Sequence, residues 1–207
     1  MAEAVSVSVF VSIAALVISA ITAWLTLFRR GTVRMTKPTI VFFGPDGGPK
    51  DGVPAKPKVF LRSLVYSTGK RGHIIESMFV TLRRGETRQT FNIWVYGDDK
   101  LARGSGVYVG ETGVVCNHHF LLPEDGTRFE FLAGDYQFDV YAALVGRSKT
   151  LHLSSVLLTI GEQAGMQLKD PECGIYFDWG QDSQRYQPHV EKKKYVRAPS
   201  FLTDTTS

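Results

Sequence analysis

The chain has 207 residues and a formal net charge of +4, too mild a basic balance to point to nucleic acid. Setting aside an apolar N-terminal stretch leaves about 170 residues, enough for one domain with a real core. Two cysteines, Cys116 and Cys173, form no CxxC and do not resemble a disulfide framework, though a single bridge between them stays open, and 13 Phe, 8 Tyr and 3 Trp among 20 Gly and 9 Pro favour strands joined by turns.

Ala4 to Phe28 carries no charged side chain; Glu3 stands before it and Arg29-Arg30 close it. As a helix it is roughly 37 Å long, against a hydrocarbon core of about 30 Å. The segment before it, Met-Ala-Glu-Ala, has no Lys or Arg, and Trp24, Leu25, Leu27 and Phe28 stand where a cleaved leader would turn polar. The expectation is an uncleaved single-pass anchor over residues 1–30. Arg29, Arg30, Arg34 and Lys37 follow the span closely, which predicts the N-terminus outside and the rest in the cytoplasm.

Ser8, Ser12, Ala15, Ser19, Thr22 and Thr26 recur at spacings of 4, 3, 4, 3 and 4, a small, weakly polar stripe along one helix face. Such a stripe suits a close helix–helix contact, with another copy or with a different protein. Its hydroxyls also have an intrahelical use, bonding to carbonyls one turn back.

Residues 31–38 read as a basic tether. A β-sandwich domain is expected over 39–160, with strands at 39–43, 58–66, 73–83, 88–96, 107–109, 114–122, 127–132, 136–144 and 149–160. The period of two puts Ile74, Met78, Val80 and Leu82 on one face, and Phe91, Ile93 and Val95 on another. Residues 44–57, rich in Gly and Pro, read as a long loop. Residues 161–207 form a C-terminal extension: a helical turn near 161–169, an aromatic segment CGIYFDWG that packs back on the sandwich, and a polar tail, partly disordered.

The segment Gly134-Asp135-Tyr136-Gln137-Phe138-Asp139-Val140-Tyr141-Ala142 alternates strictly, with Tyr136, Phe138, Val140, Ala142 and Leu144 inward. Its Gly-Asp-Tyr start resembles the tyrosine corner of immunoglobulin-like sandwiches, where a Tyr begins strand F after a tight corner. The resemblance implies an immunoglobulin-like antiparallel fold over 39–160 and carries no functional residue.

Chemistry-bearing clusters are few. Cys116 and His118 share a strand face, with His119 opposite; His152, His73 or Cys173 would have to supply a further ligand, so Cys116, His118 and His152 are the weak metal candidates and no metal or other cofactor is expected. The Cys116–His118 pair on a flat strand offers no oriented base or oxyanion hole. Gly104 to Gly110 lacks the GxGxxG spacing and opens no helix, so it reads as a turn rather than a phosphate cradle. Gly97-Asp98-Asp99 reads as a solvated turn and Lys192-Lys193-Lys194 as a solvated charge run or a membrane-surface contact.

The expected function is a non-catalytic interaction or assembly module held at the cytoplasmic membrane face, in contact with lipid and with a protein partner or a second copy through the span. The alternatives are an exported, periplasmic or surface, binding sandwich and a metal-dependent enzyme using Cys116 and His118. Arg29, Arg30, Arg34 and Lys37, with Lys70, Arg71, Lys100 and Arg103 on loops at one end, are expected at the membrane surface.

Overall fold

A computed structural model describes residues 2–28, 31–47, 55–97, 101–104, 106–123 and 129–192. Helix α1 runs Ala2–Ala23 and closes in a wider π-helical turn, Trp24–Phe28. The run is rich in the β-branched residues Val and Ile, which favour strand over helix in water. In lipid the backbone must satisfy its own bonds, and a lone segment does so only as a helix. Val7–Thr26 is long and apolar enough to cross a bilayer, and none of it is buried against the rest of the protein.

The remainder is mainly β, in two antiparallel sheets. The strands are β1 (Val33–Met35), β2 (Ile40–Pro45), β3 (Pro57–Ser67), β4 (His73–Arg84), β5 (Thr87–Phe91), β6 (Ile93–Tyr96), β7 (Ala102–Arg103), β8 (Val107–Val109), β9 (Val114–Leu121), β10 (Gly134–Leu144) and β11 (Leu151–Ile160). A short helix α2 (Glu162–Gln167) then leads to β12 (Cys173–Gly180) and β13 (Arg185–Lys192). The larger sheet runs β13-β12-β2-β3-β9-β6-β7, with β1 on the far end of β3; the smaller runs β11-β10-β4-β5, with β8 on β4. Their inner faces share one core. Phe43 of the larger sheet lies at its centre, with ring centroids 5.1 Å from Phe131, 5.9 Å from Tyr136, 6.1 Å from Phe138 and 5.2 Å from Phe177.

Tyr136 makes the corner bond. Its hydroxyl donates to the Leu132 carbonyl at 2.8 Å and accepts from the Leu132 N–H at 2.9 Å, so both backbone groups are satisfied where the chain turns into β10. Burial pushes the phenol's pKa up.

Five expectations change. Residues 88–96 form two strands, because Phe91 and Trp94 both point inward and a spacing of three breaks the period of two. The chain crosses between the sheets at Asn92: β5 pairs with β4, and β6 with β9. On β4 the inward residue is Ile75, not Ile74, because Leu144 pairs with Ile75 while Ala143 pairs with Ser77, leaving Glu76 in a bulge that flips the alternation. Residues 129–133 are not a strand; Phe131 stacks on Phe91 and Phe129 meets the same ring edge-on instead of joining a ladder. The 31–38 segment is not a loose tether, since β1 pairs with Val65–Ser67 and buries Val33. The aromatic segment is β12, which extends the larger sheet beside β2 and sends Ile175 and Phe177 into the core. The tail from residue 193 lies outside the described residues.

Candidate functional site

The outer face of the smaller sheet is built in rows by strand register. One row is Arg88–Arg83–Gln137–Leu157, the next Thr90–Thr81–Asp139–Ser155, the next Phe79–Tyr141–His152. Eight of these residues, from Thr81 to Ser155, line a concavity of about 360 Å³. Hydrogen bonds cross it from strand to strand. Arg83 Nη2 donates to Gln137 Oε1, Gln137 Nε2 donates to Asp139 Oδ2 at 3.0 Å, and Asp139 Oδ1 meets His152 Nε2 at 3.0 Å. Asp139 is nearly buried although it is on the outer face. Tyr141 stacks flat on Phe79, ring centroids 5.0 Å apart, and tilts against His152 at 5.0 Å.

Arg83 and Arg88 are direct partners across the β4–β5 hairpin, both exposed and on one face. Like charges in that position repel. Arg83 is fixed by Gln137; among the described residues Arg88 has no hydrogen-bond or ion-pair partner. The concavity presents two guanidinium groups beside the hydroxyls of Thr81, Tyr141 and Ser155 and the Gln137 amide; its one carboxylate, Asp139, is nearly buried and bonded to Gln137 and His152, so the two arginines at the rim are the groups suited to an incoming carboxylate.

The Cys116–His118 pair faces inward from β9, within the core. Trp94 Nε1–H donates to His118 Nδ1 at 3.1 Å, which puts the neutral ring's proton on Nε2, 3.4 Å from Cys116 Sγ. Burial, with a smaller contribution from His119, holds the His118 pKa at about 4. In that tautomer the imidazole donates towards sulfur and cannot take the thiol's proton. His152 is on the outer face of the other sheet with Asp139, so the set Cys116, His118 and His152 does not assemble. Among the described residues no group of three or more His, Cys, Asp and Glu gathers as a metal set.

The stripe residues from Ser8 to Thr22 lie along α1, and Thr26 lies in the π-helical turn that closes it. Ser12 Oγ donates to the Ser8 carbonyl at 2.9 Å, Thr22 Oγ1 to Ile18 at 2.8 Å and Thr26 Oγ1 to Thr22 at 2.8 Å, the intrahelical use of those hydroxyls. Of the basic residues, Arg34 is exposed on β1, Lys37 sits 3.6 Å above the Trp179 ring, Lys70 and Arg71 occupy the β3–β4 turn, and Arg103 is on edge strand β7. Arg29, Arg30 and Lys100, and likewise Asp98 and Asp99, lie outside the described residues. Gly104 passes close over the Trp94 ring, where any side chain would clash.

Sequence reasoning missed the Arg83–Arg88 pair, yet it was available by arithmetic. A two-residue loop at Gly85-Glu86 makes 84 face 87 and 83 face 88. No family model, curated protein or solved structure matches this chain.

Proposed function

We propose that this chain is a membrane-anchored binding module without chemistry of its own. In this reading α1 crosses the bilayer, the β domain stands on the cytoplasmic side, and the outer face of the smaller sheet takes an acidic segment of a partner protein. The observation that carries it is Arg83 opposite Arg88 at the edge of a concave, hydrogen-bonded surface. Natural sheets avoid like charges face to face, and a bound carboxylate removes the repulsion and gains bidentate bonds. Arg34 and Lys37 after the span support the cytoplasmic orientation, and neither cysteine is in a disulfide, which fits a reducing compartment. The stripe on α1 offers a close-packing surface to a second span.

The strand order favours an immunoglobulin-like reading of the sandwich. Strands β2-β3-β9-β6 follow the A-B-E-D order of one sheet in that fold, β4-β10-β11 follow C-F-G of the other, and Tyr136 takes the corner position on the F-like strand.

The test uses the full chain in lipid nanodiscs and a fluorescent polyglutamate peptide as probe. Arg83→Gln and Arg88→Gln should each weaken binding by roughly three- to tenfold, while Lys169→Gln, exposed and outside the concavity, leaves it unchanged. Equal loss in all three variants, or no binding by the parent chain, contradicts the proposal.

A further inference from the structure

Two residues, Arg29 and Arg30, stand in sequence between Phe28, where the apolar helix ends, and Gly31. Gly31 follows Phe28 by three residues, a reach of at most about 10 Å. Thr32 is hydrogen-bonded to Thr68, and a side chain at Gly31 would strike the Gly69 backbone. If α1 spans a bilayer, the β3–β4 turn is thus held close to the headgroup layer, which is roughly 5–8 Å thick on each side. This follows from chain length and hydrogen bonds, whichever way the protein is oriented.

What surrounds that turn suits lipid. Arg147 reaches over to donate to the Gly31 carbonyl at 3.3 Å, which brings the β10–β11 turn to the same end. Lys70, Arg71, Arg147 and Lys149 are all exposed there, with Arg34 nearby; the opposing acids are Glu76 and Glu111. Beside them lies an apolar group on the outer face of the smaller sheet. Ile74 and Tyr108 are cross-strand partners, and the Val145 N–H bonds to the Ile74 carbonyl at 3.0 Å. Their exposures are 46%, 60% and 59%, high for three adjacent large apolar side chains. The bulge at Glu76 turns Ile74 outward, and Gly72, at φ +66, leaves room for the Tyr108 ring above the turn.

We infer that this end of the β domain docks on the bilayer surface, with Ile74, Tyr108 and Val145 in the interfacial layer and Lys70, Arg71, Arg147 and Lys149 on anionic headgroups. Apolar residues ringed by Lys and Arg are what an anionic interface binds, and an aromatic phenol is favoured at that depth. The docking fixes the tilt of the domain and so the height of the Arg83–Arg88 concavity, at the opposite end of the same sheet. It rests on the anchor reading of α1, and not on the acidic-partner reading.

The experiment is photocrosslinking of the full chain, with benzoylphenylalanine at position 108, 145 or 157, in vesicles with and without phosphatidylserine. Position 157 is the control, exposed on the same face near the far end of β11. Alkaline flotation first establishes whether the chain is integral. Lipid adducts at 108 and 145 should exceed those at 157 by at least about fivefold. Changing Lys70, Arg71, Arg147 and Lys149 together to Gln should cut them in anionic vesicles, by about fivefold per residue that sits at the surface. An integral chain that labels lipid equally at all three positions, or at none, overturns the docking alone. A chain that does not float with vesicles overturns the anchor, and the docking with it. The 145 label keeps the test decisive if the 108 substitution disturbs the Gly72 contact.

Discussion

Thr32 and Thr68 hold each other through three hydrogen bonds. The Thr32 N–H donates to Thr68 Oγ1 at 2.8 Å, that hydroxyl donates to the Thr32 carbonyl at 3.2 Å, and the Thr68 N–H donates to the same carbonyl at 2.8 Å. Three residues separate Thr32 from the end of the apolar helix at Phe28. A hinge that would let the β domain swing freely is therefore missing from the described residues between Gly31 and Met35.

Tyr136→Phe tests the corner. The ring stays and the hydroxyl goes, leaving the Leu132 N–H and carbonyl without the bonds that hold the turn into β10. The β domain should lose about 1–3 kcal/mol in urea unfolding, with its far-ultraviolet spectrum unchanged. A loss within error would mean that solvent replaces both bonds.

His118 makes stability depend on pH. Its folded pKa is about 4 against an ordinary 6.5, so the unfolded chain takes up the proton first as pH falls. The contribution is complete above pH 6.5 and is lost as pH drops from 6.5 towards 4. The loss should reach about 2 kcal/mol near pH ~5. His118→Phe should remove that dependence and, by leaving the Trp94 indole N–H without its acceptor, cost about 1–3 kcal/mol at neutral pH. Parallel pH profiles for parent and variant would contradict this.

Arg88→Thr should separate stability from binding. Relieving the cross-strand repulsion with Arg83 should stabilise the domain by a few tenths of a kcal/mol, while the polyglutamate probe binds more weakly. A destabilised variant would show that Arg88 serves the fold rather than a partner.

Much of the architecture could be read from the residues. The uncharged run to Phe28 announces the helix, and the alternation from Tyr136 to Leu144 announces β10 with its inward face. The strand at Val107–Val109 and the helical turn after Gly161 also lie where turn residues bracket them. The misses share a cause: each depends on a partner strand far away in sequence. The bulge at Glu76 exists only because β10 pairs with β4 across a register shift, and the sheet crossing at Asn92 is decided by whether Phe91 and Trp94 face β4 or β9. β1 looks like a charged tether because Val33 alone carries its burial. The concavity was equally hidden, since Arg83, Gln137, Asp139 and His152 come from three strands and look like ordinary outward polar residues one at a time.

The central claim is that a single span holds this β domain at the cytoplasmic membrane face. The most direct measurement is a pair of reporters fused after Ser207, one fluorescent only in the cytoplasm and one enzymatically active only outside it. The account predicts fluorescence from the first, silence from the second, and both fusions in the alkali-resistant membrane fraction. Activity of the external reporter would place the domain outside and contradict the orientation; a freely soluble fluorescent fusion would contradict the anchor itself.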